Sequence, residues 1–124
     1  MEITVSTDAR LDVVDVTDEV AAALPDDRDG TATVFVDHTT AGVVVNEAEP
    51  RLLEDMRTFL AELVPDEGWA HDGLDGNADS HLRALLLGPS ETVPVVDGEL
   101  SLGRWQSILL VECDGPRERT IRVA

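Results

Sequence analysis

Apolar and polar residues alternate at the start of the chain. Ile3 and Val5 stand between Glu2, Thr4 and Ser6, the two-residue period of a half-buried strand over 2–6. A second short strand is predicted over 10–15. Thr17-Asp18-Glu19-Val20 then reads as a helix start, with Thr17 as N-cap and Val20, Ala21 and Leu24 on its apolar side, before Pro25 ends it. After the Asp29-Gly30 turn, Thr31 to His38 alternates again as a strand, and Val43-Val44-Val45 forms another apolar run. The period changes at residue 50. Pro50 suits the first helical position, where its missing N–H costs nothing. Leu52, Leu53, Met56, Phe59, Leu60 and Leu63 share one stripe of a helix over 50–63, and Asp55 lies at its border, near the core but able to reach a cavity.

Pro65 stops that helix, and a polar, Gly-containing loop over 65–77 is long enough to carry function. A shorter helix is expected from about Ala78 to Leu87, with Leu82, Leu85 and Leu86 facing inward and Gly88-Pro89 closing it. The last third reads as β. Thr92 to Val96 and the segment after Gly98 form a hairpin about Asp97-Gly98, a favoured tight-turn pair. Gln106 to Glu112 is apolar on both faces, the mark of a central strand. Asp114-Gly115-Pro116 turns the chain into a final strand over 119–123. The order predicts one α+β domain over residues 1–124, mostly antiparallel sheet, sandwich-like, with two or three helices.

Charge changes the picture of the setting rather than of the fold. The 124 residues carry 26 Asp and Glu against nine basic residues, all of them Arg, for a net charge of −17. The acids are spread through periodic apolar segments, which is not the pattern of a disordered tail. Self-repulsion at this density destabilises a compact state in dilute buffer, and molar salt, with a screening length of about 3 Å, removes most of that cost. Together with the absence of Lys and the sparse aromatics, this points to a cytoplasm adapted to high salt. No Arg cluster exists to track a phosphate backbone, which excludes a basic nucleic-acid-binding stripe. No apolar run approaches the roughly 20 residues of a membrane span, and no secretory signal is visible, so a soluble protein is expected. The single Cys113 cannot form an intrachain disulfide and fits a reducing compartment.

Candidate chemistry rests first on the three histidines, His38, His71 and His81, each beside small or polar residues at an element boundary. Imidazole exchanges protons near neutral pH and binds metals as a neutral donor. If the three converge, they could form a facial site open to water or substrate. Alternatively His38, which continues the face of Ala32, Val34 and Val36, is a hydrogen-bonded core residue. The Asp75-Gly76-Asn77 turn into a helix, with Ser80 in its first turn, could favour an anion or could be simple capping by Asn77 or Asp79. A calcium loop is excluded, because Ser80 replaces the tight-turn Gly and Leu86 the chelating Glu. Glu47 and Asp55 could supply carboxylates for a base or a metal, although a solvated carboxylate is the default in so acidic a chain. In Gly103-Arg104-Trp105-Gln106, Gly103 allows close backbone approach, Trp105 offers a flat face and Gln106 can read a polar edge, unless Trp105 is a core residue. No nucleophile elbow, Walker loop or dinucleotide Gly pattern occurs, and Cys113 reads as an inert buried thiol.

An ordered set of short segments carries a resemblance: His38-Thr39-Thr40-Ala41, Asn46-Glu47, Asp55-Met56, Val64-Pro65, His71-Asp72, Asn77 with Ser80-His81-Leu82, Gly88, Pro94-Val95, Gly98, Gly103 with Trp105-Gln106, and Asp114-Gly115-Pro116-Arg117. In this the chain resembles the YjbQ-type family, called secondary thiamine-phosphate synthase enzymes. The resemblance implies an α+β fold assembled as a homotrimer, with polar motifs lining pockets at or near subunit contacts. It also implies a weak or secondary transferase activity, joining hydroxymethylpyrimidine diphosphate to a thiazole phosphate. His38, His71 and His81 become the leading catalytic and metal-binding residues, with Glu47 and Asp55 as acid, base or orienting groups. A divalent metal, zinc or magnesium, is then an expected cofactor. Asn77, Ser80, Gly103, Trp105 and Gln106 become candidates for the substrate side. Thr40 and Arg104 depart from the common family residues, and Arg104 would place a cation near the phosphates. A metal-dependent phosphoester hydrolase and a non-catalytic metabolite-binding protein use the same groups and stay open.

Overall fold

A computed structural model describes residues 1–124. Eight strands run β1 (Glu2–Ser6), β2 (Asp12–Asp15), β3 (Gly30–Val36), β4 (Ala41–Asn46), β5 (Ser90–Val96), β6 (Glu99–Leu100), β7 (Ser107–Glu112) and β8 (Glu118–Val123). The helices are α1 (Thr17–Ala22), α2 (Pro50–Leu63) and α3 (Ala78–Leu87), with a 3-10 turn at Ala70–Gly73. Five strands form one sheet in the order β1-β8-β3-β5-β6 and three form a second, β2-β7-β4. Every pairing is antiparallel, as the α+β reading requires.

The two-residue period decides which side chains meet between the sheets. Ala32, Val34 and Val36 of β3, Val93 and Val95 of β5, and Ile121 and Val123 of β8 face Val43 of β4 and Ile108 and Leu110 of β7 in one buried core. The alternate residues of β7, Leu109 and Val111, point the other way and pack with Leu60, Leu53 and Met56 of α2. β7 is therefore buried on both faces and α2 forms a third layer. The Asp97-Gly98 turn has both residues at positive φ, 52° and 80°, the conformation that suits the twist of a two-residue hairpin. A side chain at Gly98 would also strike the Asp26 carbonyl, with a Cβ only 2.2 Å from its oxygen.

Three local expectations are corrected. Thr17 is the first helical residue rather than the cap, because its hydroxyl accepts the Ile108 N–H (2.9 Å); Asp15 receives the Thr17 N–H (3.0 Å) instead. On α2, Phe59 and Leu63 are exposed, and only the Leu53, Met56 and Leu60 part of the stripe packs inward. The largest difference is on α3. Leu85 and Leu86 are 75% and 63% exposed, while Asp79, Ser80, Arg83 and Ala84 form its buried face. Small residues let α3 lie close to β4, where a Cβ at Gly42 would come within 2.7 Å of Leu87. On the side of α3 that meets the end of α2, an arginine, Arg83, takes the inward position in place of a leucine.

Candidate functional site

The loop leaving α2 is shaped by its own polar groups. The Trp69 indole N–H donates to the Pro65 carbonyl (2.8 Å), and Asp72 accepts the N–H groups of Trp69 (3.1 Å) and Ala78 (3.3 Å). Asp72 thus couples the 3-10 turn to the start of α3. Here Asn77 donates to Asp114 (3.0 Å) and Ser80 donates to the Cys113 carbonyl (2.6 Å). These bonds bring His71, on the turn, against His81, on the first turn of α3. Their ring centroids lie 5.0 Å apart with planes at 87°, an edge-to-face pair. Both line an open hollow of about 360 Å³ whose remaining walls are Trp69, Ala70, Ala78 and Leu82. His71 Nε2 has no hydrogen-bond partner; the nearest carboxylate, Asp75, is 3.6 Å away. Two facing imidazoles can give and take a proton on one bound group, while the indole and Leu82 offer apolar contact to a ring.

His38 is placed elsewhere. At the end of β3 its Nε2 accepts the Thr120 N–H (2.9 Å), so a neutral ring carries its proton on Nδ1. Burial, then the nearby Arg119 cation, holds its pKa below the ordinary histidine value. His38 is not a wall of the His71–His81 hollow, and within one chain no three His, Cys, Asp or Glu side chains come together to hold a metal. One chain by itself therefore does not assemble the three protein ligands that a catalytic zinc site uses.

The other candidates divide by the register of the second sheet. β4 pairs with β7 from Ala41 opposite Glu112 to Asn46 opposite Ser107. Ser80 and Asn77 attach just past Glu112, whereas Glu47, Arg104 and Trp105 follow or precede the other end, about 17 Å away at about 3.3 Å per residue. There a separate hollow of about 310 Å³ is lined by Glu47, Ala48, Glu49, Arg104, Trp105 and Ser107. Trp105 is 63% exposed, not a core residue, and Arg104 stacks over its ring at 4.8 Å. Gln106 is turned back onto its own loop, its Oε1 accepting the Gly103 N–H (2.8 Å). Asp55 is exposed on α2, away from any cavity wall described above. Within one chain, Glu47, Arg104 and Trp105 thus line a hollow separate from that of His71 and His81.

Sequence reading missed the buried charges that support this end of the molecule. Asp79 is fully buried and receives Arg10 (2.8 and 2.9 Å) and Arg83. Burial pushes its pKa up, but hydrogen bonds and charge from the two guanidinium groups outweigh this and hold it below the usual carboxylate range. Glu112 and Arg119 form a second buried pair, reinforced by Thr7 and by the Asp114 N–H (3.0 Å). Arg119 also donates to the Thr40 hydroxyl (2.8 Å) and carbonyl (3.1 Å). The one available signal was an Arg and an Asp at the spacing of small residues on α3. Cys113 is fully buried with its thiol pushed up to about 12, as an inert structural thiol should be.

Two facing sheets and a covering helical layer define an α+β protein, with a largely apolar hollow walled in part by two histidines. The chain matches the family described as UPF0047 protein YjbQ-like over residues 1–124. It is 49% identical over 124 residues to a UPF0047 protein of Archaeoglobus fulgidus, covering 99% of this chain and 98% of the relative. It is 38% identical over 122 residues to the UPF0047 protein YugU of Bacillus subtilis, covering 94% and 90%. Among solved structures, a hypothetical protein of Aeropyrum pernix superposes with a TM-score of 0.91 at 47% identity, covering 100% of this chain and 95% of the other. A YbjQ-like protein of unknown function from Sulfolobus solfataricus gives 0.91 at 42% identity, covering 99% and 92%. The chain belongs to the YjbQ/UPF0047 family.

Proposed function

We propose that the protein is a small-molecule transferase of the thiamine-phosphate synthase type, acting at the His71–His81 hollow. The observation that carries this reading is the edge-to-face imidazole pair beside the Trp69 and Leu82 walls. In the reaction, the thiazole nitrogen forms a bond to the pyrimidine methylene carbon while the carbon–oxygen bond to diphosphate breaks. An imidazolium N–H can donate to the departing oxygen as charge develops, and the apolar walls can hold a heterocycle flat. The expected zinc or magnesium ion is no part of this step. His38, Glu47 and the Arg104–Trp105 hollow would join the site only across a contact with another copy, in keeping with the homotrimer that the resemblance implies. Leu74, Leu85 and Leu86, exposed on so acidic a chain, are natural surfaces for such a contact. The setting we propose is a cytoplasm of high salt.

A second reading rests on a specific feature. The arginines nearest the hollow, Arg10 and Arg83, are both committed to Asp79, so no free cation stands ready for phosphate. This favours a metabolite-binding protein or a hydrolase that meets its phosphoester with its own metal. The test is incubation in molar KCl with hydroxymethylpyrimidine diphosphate and thiazole phosphate, with magnesium, zinc or EDTA. Thiamine phosphate formation that falls about a hundredfold in His71→Ala and His81→Ala supports the transferase. Diphosphate release without coupling indicates hydrolysis, and binding without turnover indicates a binder. Light scattering of the same preparation reads the assembly, with a trimer expected.

A further inference from the structure

We infer that Asp79, clamped between Arg83 and Arg10, is the brace that sets the His71–His81 pair in its edge-to-face geometry, making these three residues positioning residues of the site. The inference deepens the transferase reading and rests on it for its kinetic arm only. Arg83 lies two residues beyond His81 on α3 and is fully buried. Its Nε donates to the Leu60 carbonyl (2.8 Å), and one terminal nitrogen donates to the Val64 carbonyl (2.7 Å) and to Asp66 (3.0 Å). The last carbonyls of a helix have no partner within it, so a side chain of α3 closes the C-terminus of α2. Its other terminal nitrogen donates to Asp79. The planar fork therefore fixes three segments at once: the end of α2, the start of the 65–77 loop, and α3 itself.

Asp79 closes the arrangement from the opposite side. It sits two residues before His81, and Arg10, from the connection between β1 and β2, reaches it with a single terminal nitrogen. Two cations and two carboxylates balance in charge, with Arg83 and Asp79 fully buried and Arg10 and Asp66 reaching solvent, so the buried pair is neutral overall. His81 lies between Asp79 and Arg83 on the same helix, and His71 hangs on the loop that Arg83 holds at Val64 and Asp66. Release of the fork frees the loop from α3 at its first residues, leaving Asp72 and its neighbours as the remaining tie. The ring pair then loses its fixed separation. Lysine keeps the charge but cannot cover carbonyls and carboxylates in one plane, so Arg83→Lys isolates geometry from charge.

The test uses the full-length protein in molar KCl with Arg83→Lys and Arg10→Gln, each checked for folding by circular dichroism. The first measurement is the NMR cross-relaxation peak between the His71 and His81 ring protons, which needs no substrate. It is expected in the wild type and lost or strongly weakened in folded Arg83→Lys. The second is turnover of hydroxymethylpyrimidine diphosphate and thiazole phosphate, with kcat expected to fall about a hundredfold and KM to stay within about threefold. A folded Arg83→Lys that keeps the ring contact, or keeps wild-type kcat where the wild type turns over, overturns the inference. If Arg83→Lys does not fold, Arg10→Gln decides: its guanidinium is 44% exposed, and a weakened ring contact is expected. An unchanged contact there overturns the brace. A wild type that shows the ring contact without turnover sinks the transferase reading and leaves the brace to the NMR arm.

Discussion

Replacing Glu112 with Gln should remove a large part of the protein's stability. The carboxylate is 0% exposed and is surrounded by donors: the Thr7 hydroxyl (2.8 Å), Arg119 Nε (2.9 Å), a terminal Arg119 nitrogen and the Asp114 N–H (3.0 Å). Gln keeps the shape but offers one acceptor oxygen and an NH2 group, so a donor must face donors. The larger loss is electrostatic, because Arg119, 1% exposed, stays charged without its partner. Breaking one side of a buried pair costs about 3–5 kcal/mol. At roughly 4 °C per kcal/mol for a chain of this size, the melting temperature should fall about 12–20 °C. The assay is urea unfolding followed by circular dichroism in molar KCl, with Asp37→Asn as a control, since its exposed pair with Arg122 is worth about 0–1 kcal/mol. Glu112→Met with Arg119→Met should return to within about 1 kcal/mol of wild type, because no lone charge is left behind. A single-variant loss below about 1 kcal/mol would refute the reasoning. A double variant as weak as the single one would place the cost in strand packing instead.

Native protein should not react with iodoacetamide at pH 8, because the Cys113 thiol is buried and pushed up to about 12; one equivalent should react in urea, and fast native labelling would contradict this. Gly42→Ala should cost about 1–3 kcal/mol, because the new Cβ meets Leu87 at 2.7 Å and the Gly88 carbonyl at 2.8 Å; a neutral result in urea unfolding would mean that α3 moves freely off β4. Stability in molar salt should fall with acid in two stages. His38 has a folded pKa below its ordinary 6.5, so the unfolded chain binds its proton first and stability declines as pH drops through that value. Asp79 and Glu112, depressed below 3.8 and 4.5, add a further loss as pH falls through their folded values; a melting temperature flat from pH 7 to 3 would count against both assignments.

Much of the architecture was legible because it depends on period and punctuation. The alternation expected over Thr31–His38 became β3, ending at Val36; Pro50 opened α2, the Asp97-Gly98 pair made the tight hairpin, and the double-faced run expected over Gln106–Glu112 became the central β7 from Ser107. The face of α3 was not legible, because spacing assumes that leucines occupy the core. Here the α2 C-terminus offers carbonyls that a leucine cannot satisfy, and Arg83 takes that position while Leu85 and Leu86 turn outward. The meeting of His71 and His81 could be anticipated from the 65–77 loop returning to α3. The separation of Glu47, Trp105 and Gln106 from them could not, because it follows from the antiparallel register of β4 on β7. Sequence order says nothing about which end of a sheet a residue occupies.

The distribution of arginine ties stability to the character of the site. Of nine cations, Arg10, Arg51, Arg83, Arg117, Arg119 and Arg122 are each paired with a carboxylate, two of them fully out of solvent. An acidic chain cannot leave a buried carboxylate uncompensated, and each of the two buried ones, Asp79 and Glu112, has a buried arginine as its partner. The His71–His81 hollow has no arginine among its walls, and the carboxylate shown beside it, Asp75, lies 3.6 Å from His71 Nε2. An anionic substrate approaching that hollow is repelled in dilute buffer, and screening by molar salt shortens the reach of the repulsion to about 3 Å. Salt should therefore act twice on this protein, once on the folded state and once on the approach of a phosphorylated ligand. What remains attractive at short range is the pair of imidazoles, whose ring N–H groups can donate hydrogen bonds to the oxygens of a ligand.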